Sequence, residues 1–116
     1  MSTSENLNQR FAIEGAVSFH EKAKGFVVVE VNNAHANATI AMQGAHLMTF
    51  QPKDQEPLIW ISPEAKLADG KSIRGGVPVC WPWFGPHESQ PSFPAHGFAR
   101  TVPWRLNQVH VLPNDS

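Results

Sequence analysis

Apolar and polar residues along the chain fall into short runs separated by turns. GFVVVEVNN (25–33) is rich in β-branched residues and ends in an Asn pair, which predicts a strand closed by a turn. In NATIAMQGAHLMTFQP (37–52), Ala38, Ile40 and Met42 alternate with Thr39, Ala41 and Gln43, and Gly44 then interrupts the pattern. Two strands with a bulge or tight bend between them are expected there. PLIWIS (57–62) reads as a further short strand after the polar turn KDQE. WRLNQVHVL (104–112) alternates at Trp104, Leu106 and, after one slip, Val109 and Val111. Helical periodicity is weak and confined to SPEAKLADG (62–70), where Pro63 and Glu64 could open one turn and Gly70 close it. Short strands spaced by turns predict a mainly β protein, a sandwich or a barrel. Residues 1–20 read as a flexible polar N-terminal segment, and 21–116 as the β domain.

Between residues 72 and 103 the prolines forbid a regular central strand over most of the length. A long irregular stretch in a small domain is functional or disordered. Its tryptophans and phenylalanines argue against disorder. Within it, RGGVPVCWPWFGP (74–86) carries Gly75 and Gly76, which let backbone approach closely or take positive φ. Pro78, Pro82 and Pro86 stiffen the loop. The result is a rigid frame for Trp81, Trp83 and Phe84, with Trp83 and Phe84 as candidate pocket walls. Flat aromatic walls beside few polar groups suit a small molecule, and an indole can stack on the apolar face of a sugar. Arg74 enters this loop, and Arg100 closes the second one, PAHGFAR (94–100). The arginine fork matches phosphate or carboxylate geometry. Either arginine taken singly reads as a surface residue; the pair around one rigid loop is what points to a bound anion. His96, between Ala95 and Gly97, is open to a ligand and suits proton donation, and equally suits pinning loop backbone.

The 116 residues suffice for one small domain. Nine Lys+Arg against ten Asp+Glu leave no clustered basic excess, which argues against nucleic acid or an anionic membrane as partner. No apolar run is long enough to span a bilayer, and the polar start lacks the core of a signal peptide. The lone Cys80 cannot form an internal disulfide and reads as a buried thiol. A cytoplasmic location is the simplest expectation. Cys80, His87 and His96 match no compact zinc pattern, so no metal is expected. His46 reads as a side chain on one face of a sheet.

Taken in order, AMQGAHLMTFQP (41–52), PLIWIS (57–62), IRGGVPVCWPWFGPH (73–87) and PAHGFAR followed by Pro103-Trp104 resemble the amino-terminal part of the D-hexose-6-phosphate mutarotases. These are also called glucose-6-phosphate 1-epimerases and belong to the aldose-1-epimerase, or galactose-mutarotase-like, superfamily. The resemblance covers roughly residues 25 to 105. It implies part of a large antiparallel β-sandwich of that type, and interconversion of the α and β anomers of a hexose 6-phosphate, glucose 6-phosphate among them, without metal or organic cofactor. It also implies that Arg74 and Arg100 help hold the substrate phosphate and that His96 lies in the sugar pocket. Some relatives carry a lysine before that histidine, where this chain has Ala95. The family's catalytic acid, a histidine, and base, a glutamate, lie well downstream of H-G-F-A-R, beyond this chain. His110 lacks the context expected of the acid.

Two functions are therefore weighed. One is the N-terminal part of a hexose-6-phosphate mutarotase, without the catalytic pair. The other is a non-catalytic phosphosugar-binding β-sandwich module. A cupin reading fails for want of the G-x5-H-x-H-x3-4-E pattern. A sandwich of this extent exposes strand edges and an apolar inner face, so self-association through sheet edges is expected.

Overall fold

The run FVVVEVN is apolar at consecutive positions, and a computed structural model of the chain shows why. The structure describes residues 3–113. Within them, α1 (Thr3–Phe11) is followed by β1 (Val17–Ala23), β2 (Phe26–Asn32), β3 (Ala36–Ala41) and β4 (His46–Pro52). The strands form one antiparallel meander in the order β1-β2-β3-β4. A sheet covered on both faces has no reason to alternate apolar with polar residues. On one face Phe26 and Val28 pack with Ala41, Met48 and Ile73, and with Ala65 and Leu67 from the following loop. On the other, Val27 and Val29 pack with Val17 and Phe19, under Leu7 and Phe11 of α1 and Leu106 and Val109 of the C-terminal segment. The expected strands at 25–33 and 37–52 are present. The bend expected at Gly44 is also there, with φ of 75°, and a register irregularity falls between Thr39 and Ile40.

Residues 1–20 differ from the expectation of a flexible segment. Met1 and Ser2 lie outside the described residues. Thr3–Phe11 is helical, and β1 begins at Val17. Leu7 and Phe11 stand four apart on one side of the helix, spacing that lets both reach the sheet. Polar neighbours hide so narrow an apolar stripe. Asn8 completes the docking: its Nδ2 donates to the Phe19 carbonyl at 2.8 Å and its Oδ1 accepts from the Phe19 N–H at 2.9 Å. A side-chain amide thus copies one rung of a β-ladder on the outer edge of β1. Covering an edge strand in this way blocks pairing with another chain at that point.

Three other expectations are corrected. PLIWIS makes only isolated bridges, Phe50 with Ile59 and Ile61 with Gly75, because it meets β4 at one point and the R-G-G loop at the next and so builds no continuous ladder; Leu58 and Trp60 are exposed. WRLNQVHVL is irregular; Leu106 and Val109 lie on the sheet face, so the segment covers the sheet instead of extending it. The 62–70 stretch is not helical either. Ala65 and Leu67, two apart, both reach the core, which extended backbone allows and a helix does not. Cys80 is half-buried.

Candidate functional site

Four consecutive residues from the β3–β4 bend to the first residue of β4, Gln43-Gly44-Ala45-His46, hold three loops. Gln43 is buried, and both ends of its amide are used. Its Nε2 donates to the Lys71 carbonyl at 2.7 Å, and its Oε1 accepts from the Gly70 N–H at 2.8 Å. Gly44 lies against the Arg100 backbone: a Cβ built there would fall 2.6 Å from the Arg100 carbonyl oxygen. Its N–H donates to the Val102 carbonyl at 2.8 Å. His46 is buried, and its Nε2 lies 2.7 Å from the Gly75 carbonyl, so this nitrogen carries the proton and donates. Gly76 sits against the same ring and the Leu47 carbonyl, where any Cβ would collide. One bend of the sheet therefore anchors the Gly70–Lys71 turn, the R-G-G loop and the end of the H-G-F-A-R loop.

Electrostatics tie the same groups together. Burial lowers the His46 pKa below its ordinary value, and the Arg100 charge lowers it further, against the opposing hydrogen bond to Gly75. His46 is thus held neutral at pH 7. Its Nδ1 and the Nε of Arg100 are both buried without a protein hydrogen-bond partner among the described residues. One is an acceptor and the other a donor.

The arginines meet different partners. Arg74 is exposed and lines a cleft of about 680 Å³ with Glu64, Lys66, Ala68, Lys71 and Ser72. Arg100 is half-buried and turns its Nη2 back to the Ala95 carbonyl at 3.1 Å. His96 takes a left-handed conformation, φ 67°. Its Nδ1 accepts from the Gly85 N–H at 3.0 Å, and its own N–H donates to the Gly85 carbonyl at 2.8 Å. With Nδ1 occupied as an acceptor, Nε2 is the protonated nitrogen and the donor left for a ligand. The two aromatic candidates separate as well. Trp83 is packed against His87, Phe93 and Phe98, with its Nε1 donating to the Pro94 carbonyl at 3.1 Å. It braces the loop from within. Phe84 is 81% exposed and stands edge-on to His96 with ring centroids 4.8 Å apart. Gly97 abuts the Trp81 carbonyl and joins the two loops through a bridge at Trp81.

Among the described residues, no group of three His, Cys, Asp or Glu side chains is placed to hold a metal ion, and no helix is long and apolar enough to cross a membrane. The hub residues Gln43 and His46 are what sequence reasoning missed. The available signal was a Gln and a His flanking a glycine in an otherwise apolar strand pair.

Sheet and loops together define a portion of an antiparallel β-sandwich of the mutarotase type, whose irregular loops gather at one bend of the sheet. The sequence pattern of the aldose 1-epimerase family matches residues 27–115, and the chain belongs to that family. It is 47% identical over 83 residues to "Putative glucose-6-phosphate 1-epimerase" of Escherichia coli (strain K12), covering 72% of this chain and 28% of that protein. A protein of the same name from Salmonella typhimurium is 44% identical over 79 residues, covering 68% of this chain and 26% of that one. The crystal structure of a "putative mutarotase" from Salmonella typhimurium superposes with a TM-score of 0.77 at 38% identity, over 83% of this chain and 32% of that one. The chain thus spans less than a third of the length of these relatives.

Proposed function

We propose that the chain forms the N-terminal part of a hexose-6-phosphate mutarotase, with Arg74 and Arg100 holding the phosphate and His96 facing the sugar. The observation that carries this reading is the common anchorage of both arginine loops on Gly44–His46. Anchoring on a sheet limits how far each guanidinium must be ordered on binding, which favours affinity for an anion. His96 Nε2–H supplies a donor for a sugar oxygen, and exposed Phe84 beside it a wall for the ring. Mutarotation needs a base to remove the C1 hydroxyl proton and an acid to protonate the ring oxygen, after which the ring opens, rotates and closes. We assign neither role to a residue of this chain, and expect both to come from the downstream part that such relatives possess. The substrate is a soluble phosphosugar, glucose 6-phosphate or a close relative, met in the cytoplasm, and no metal or organic cofactor is required.

NMR titration of the chain with glucose 6-phosphate and with glucose tests the reading. Arg100→Ala should weaken the phosphate ester by about tenfold or more, as for a lost charge-assisted hydrogen bond, and leave glucose nearly unchanged. Equal loss for both sugars would remove the phosphate role. Anomer exchange measured in the same tubes should match the uncatalysed rate; acceleration would place the acid and base within these residues after all.

A further inference from the structure

The cleft at Arg74 contains more positive charge than the arginine alone. Lys66, Lys71 and Arg74 line it with Ser72, Ala68 and one opposing carboxylate, Glu64. Among the described residues none of the three cations is ion-paired; the ion pairs present join Glu30 to His20 and Lys22. Their convergence follows from packing. Ala65, Leu67 and Ile73 turn inward onto Phe26, Val28 and Met48. The residues beside them, Lys66, Ser72 and Arg74, are exposed and line the cleft together. Lys71 is set by its own carbonyl, held by the buried Gln43 amide, and by its N–H donating to the Ala68 carbonyl at 3.1 Å. The Arg74 carbonyl accepts from the Ser62 N–H at 2.9 Å, which closes the loop at its base. Three cations against one anion, on backbone fixed at both ends, give a preset site of net positive charge. Its volume of about 680 Å³ admits a phosphate ester.

We propose that Lys66 and Lys71 join Arg74 in one anion-binding cleft and select a doubly charged phosphate ester over a neutral sugar. The inference rests on the phosphosugar reading above and extends it to residues outside the two arginine motifs.

The test is NMR titration with inorganic phosphate, glucose 6-phosphate and glucose, following the Ser72 and Arg74 amides. Lys66→Gln and Lys71→Gln are exposed, conservative changes that leave the core intact. Each should weaken phosphate and glucose 6-phosphate by about two- to fivefold, the range for solvent-exposed charge pairs. The effect should shrink as salt is raised, while Lys22→Gln, outside the cleft, should change nothing. If Arg74→Gln weakens phosphate binding but both lysine variants bind as the parent does, the inference is overturned and the phosphosugar reading stands. If the parent chain binds neither phosphate nor glucose 6-phosphate, both fall. Equal weakening by Lys22→Gln would reduce the effect to overall charge and also overturn the cleft.

Discussion

Gly44→Ala should destabilise the chain far more than the same change at Gly25, although the two glycines share almost the same backbone angle. Gly44 has φ of 75° and Gly25 of 74°. An L side chain in this region costs about 1–2 kcal/mol, partly offset by about 0.4–1 kcal/mol from the less flexible unfolded chain. Gly25 has nothing within 4 Å of a new Cβ, so its variant should lose no more than about 1.6 kcal/mol. At Gly44 the new Cβ would stand 2.6 Å from the Arg100 carbonyl oxygen and 2.9 Å from its carbonyl carbon and Cα. These are backbone atoms, which cannot rotate away. The Arg100 turn must retreat, and the 2.8 Å hydrogen bond from the Gly44 N–H to the Val102 carbonyl is strained or lost, at about 1 kcal/mol more. With at least about 1 kcal/mol for the overpacking that forces backbone apart, a total of about 2–4 kcal/mol is expected for Gly44→Ala. Urea unfolding at low micromolar concentration, followed by circular dichroism, measures both variants. The Arg100 and Val102 amide shifts should move in Gly44→Ala alone. Equal losses at the two sites would refute the close approach of the sheet bend to the H-G-F-A-R loop.

The remaining expectations concern pH, the helix and association. His46 has a folded pKa below its unfolded value of about 6.5, so the unfolded chain binds more protons as pH falls below that value; stability is retained above it and lost on acidification until the folded group also titrates. Urea midpoints measured from pH 7.5 to 5 should therefore fall, with a shallower slope in His46→Gln; parallel slopes would contradict the buried neutral imidazole. Asn8→Ala should cost about 1–2 kcal/mol and speed amide exchange at Phe19, since two hydrogen bonds to that residue are lost; an unchanged Phe19 amide would mean the helix does not dock on β1. Trp60, Trp81, Phe84 and Trp104 remain exposed, and the chain should self-associate as concentration rises, visible in light scattering; a monodisperse species at high concentration would point to a self-sufficient module.

The local pattern of the chain determined much of the sheet. β-branched residues in FVVVEVN and the alternation on both sides of Gly44 specify β2, β3 and β4, because strand preference and a positive-φ bend are properties of a few adjacent residues. The two arginine motifs and their family resemblance were equally legible, since they lie in short unbroken stretches. β1 was not: Val17 and Phe19 alternate for too few residues before a charged run, and the strand exists because β2 pairs with it. Nor could WRLNQVHVL be told from a strand, because an alternating segment lying on a sheet face looks the same as one hydrogen-bonded at its edge. The site's organisation was decided only by tertiary structure. Gln43 and Lys71 are 28 residues apart and His46 and Gly75 are 29 apart, and no local period links such pairs. Their meeting follows from how the 62–75 loop lays Ala65, Leu67 and Ile73 on the sheet, and that same packing turns Lys66, Ser72 and Arg74 outward into one cleft.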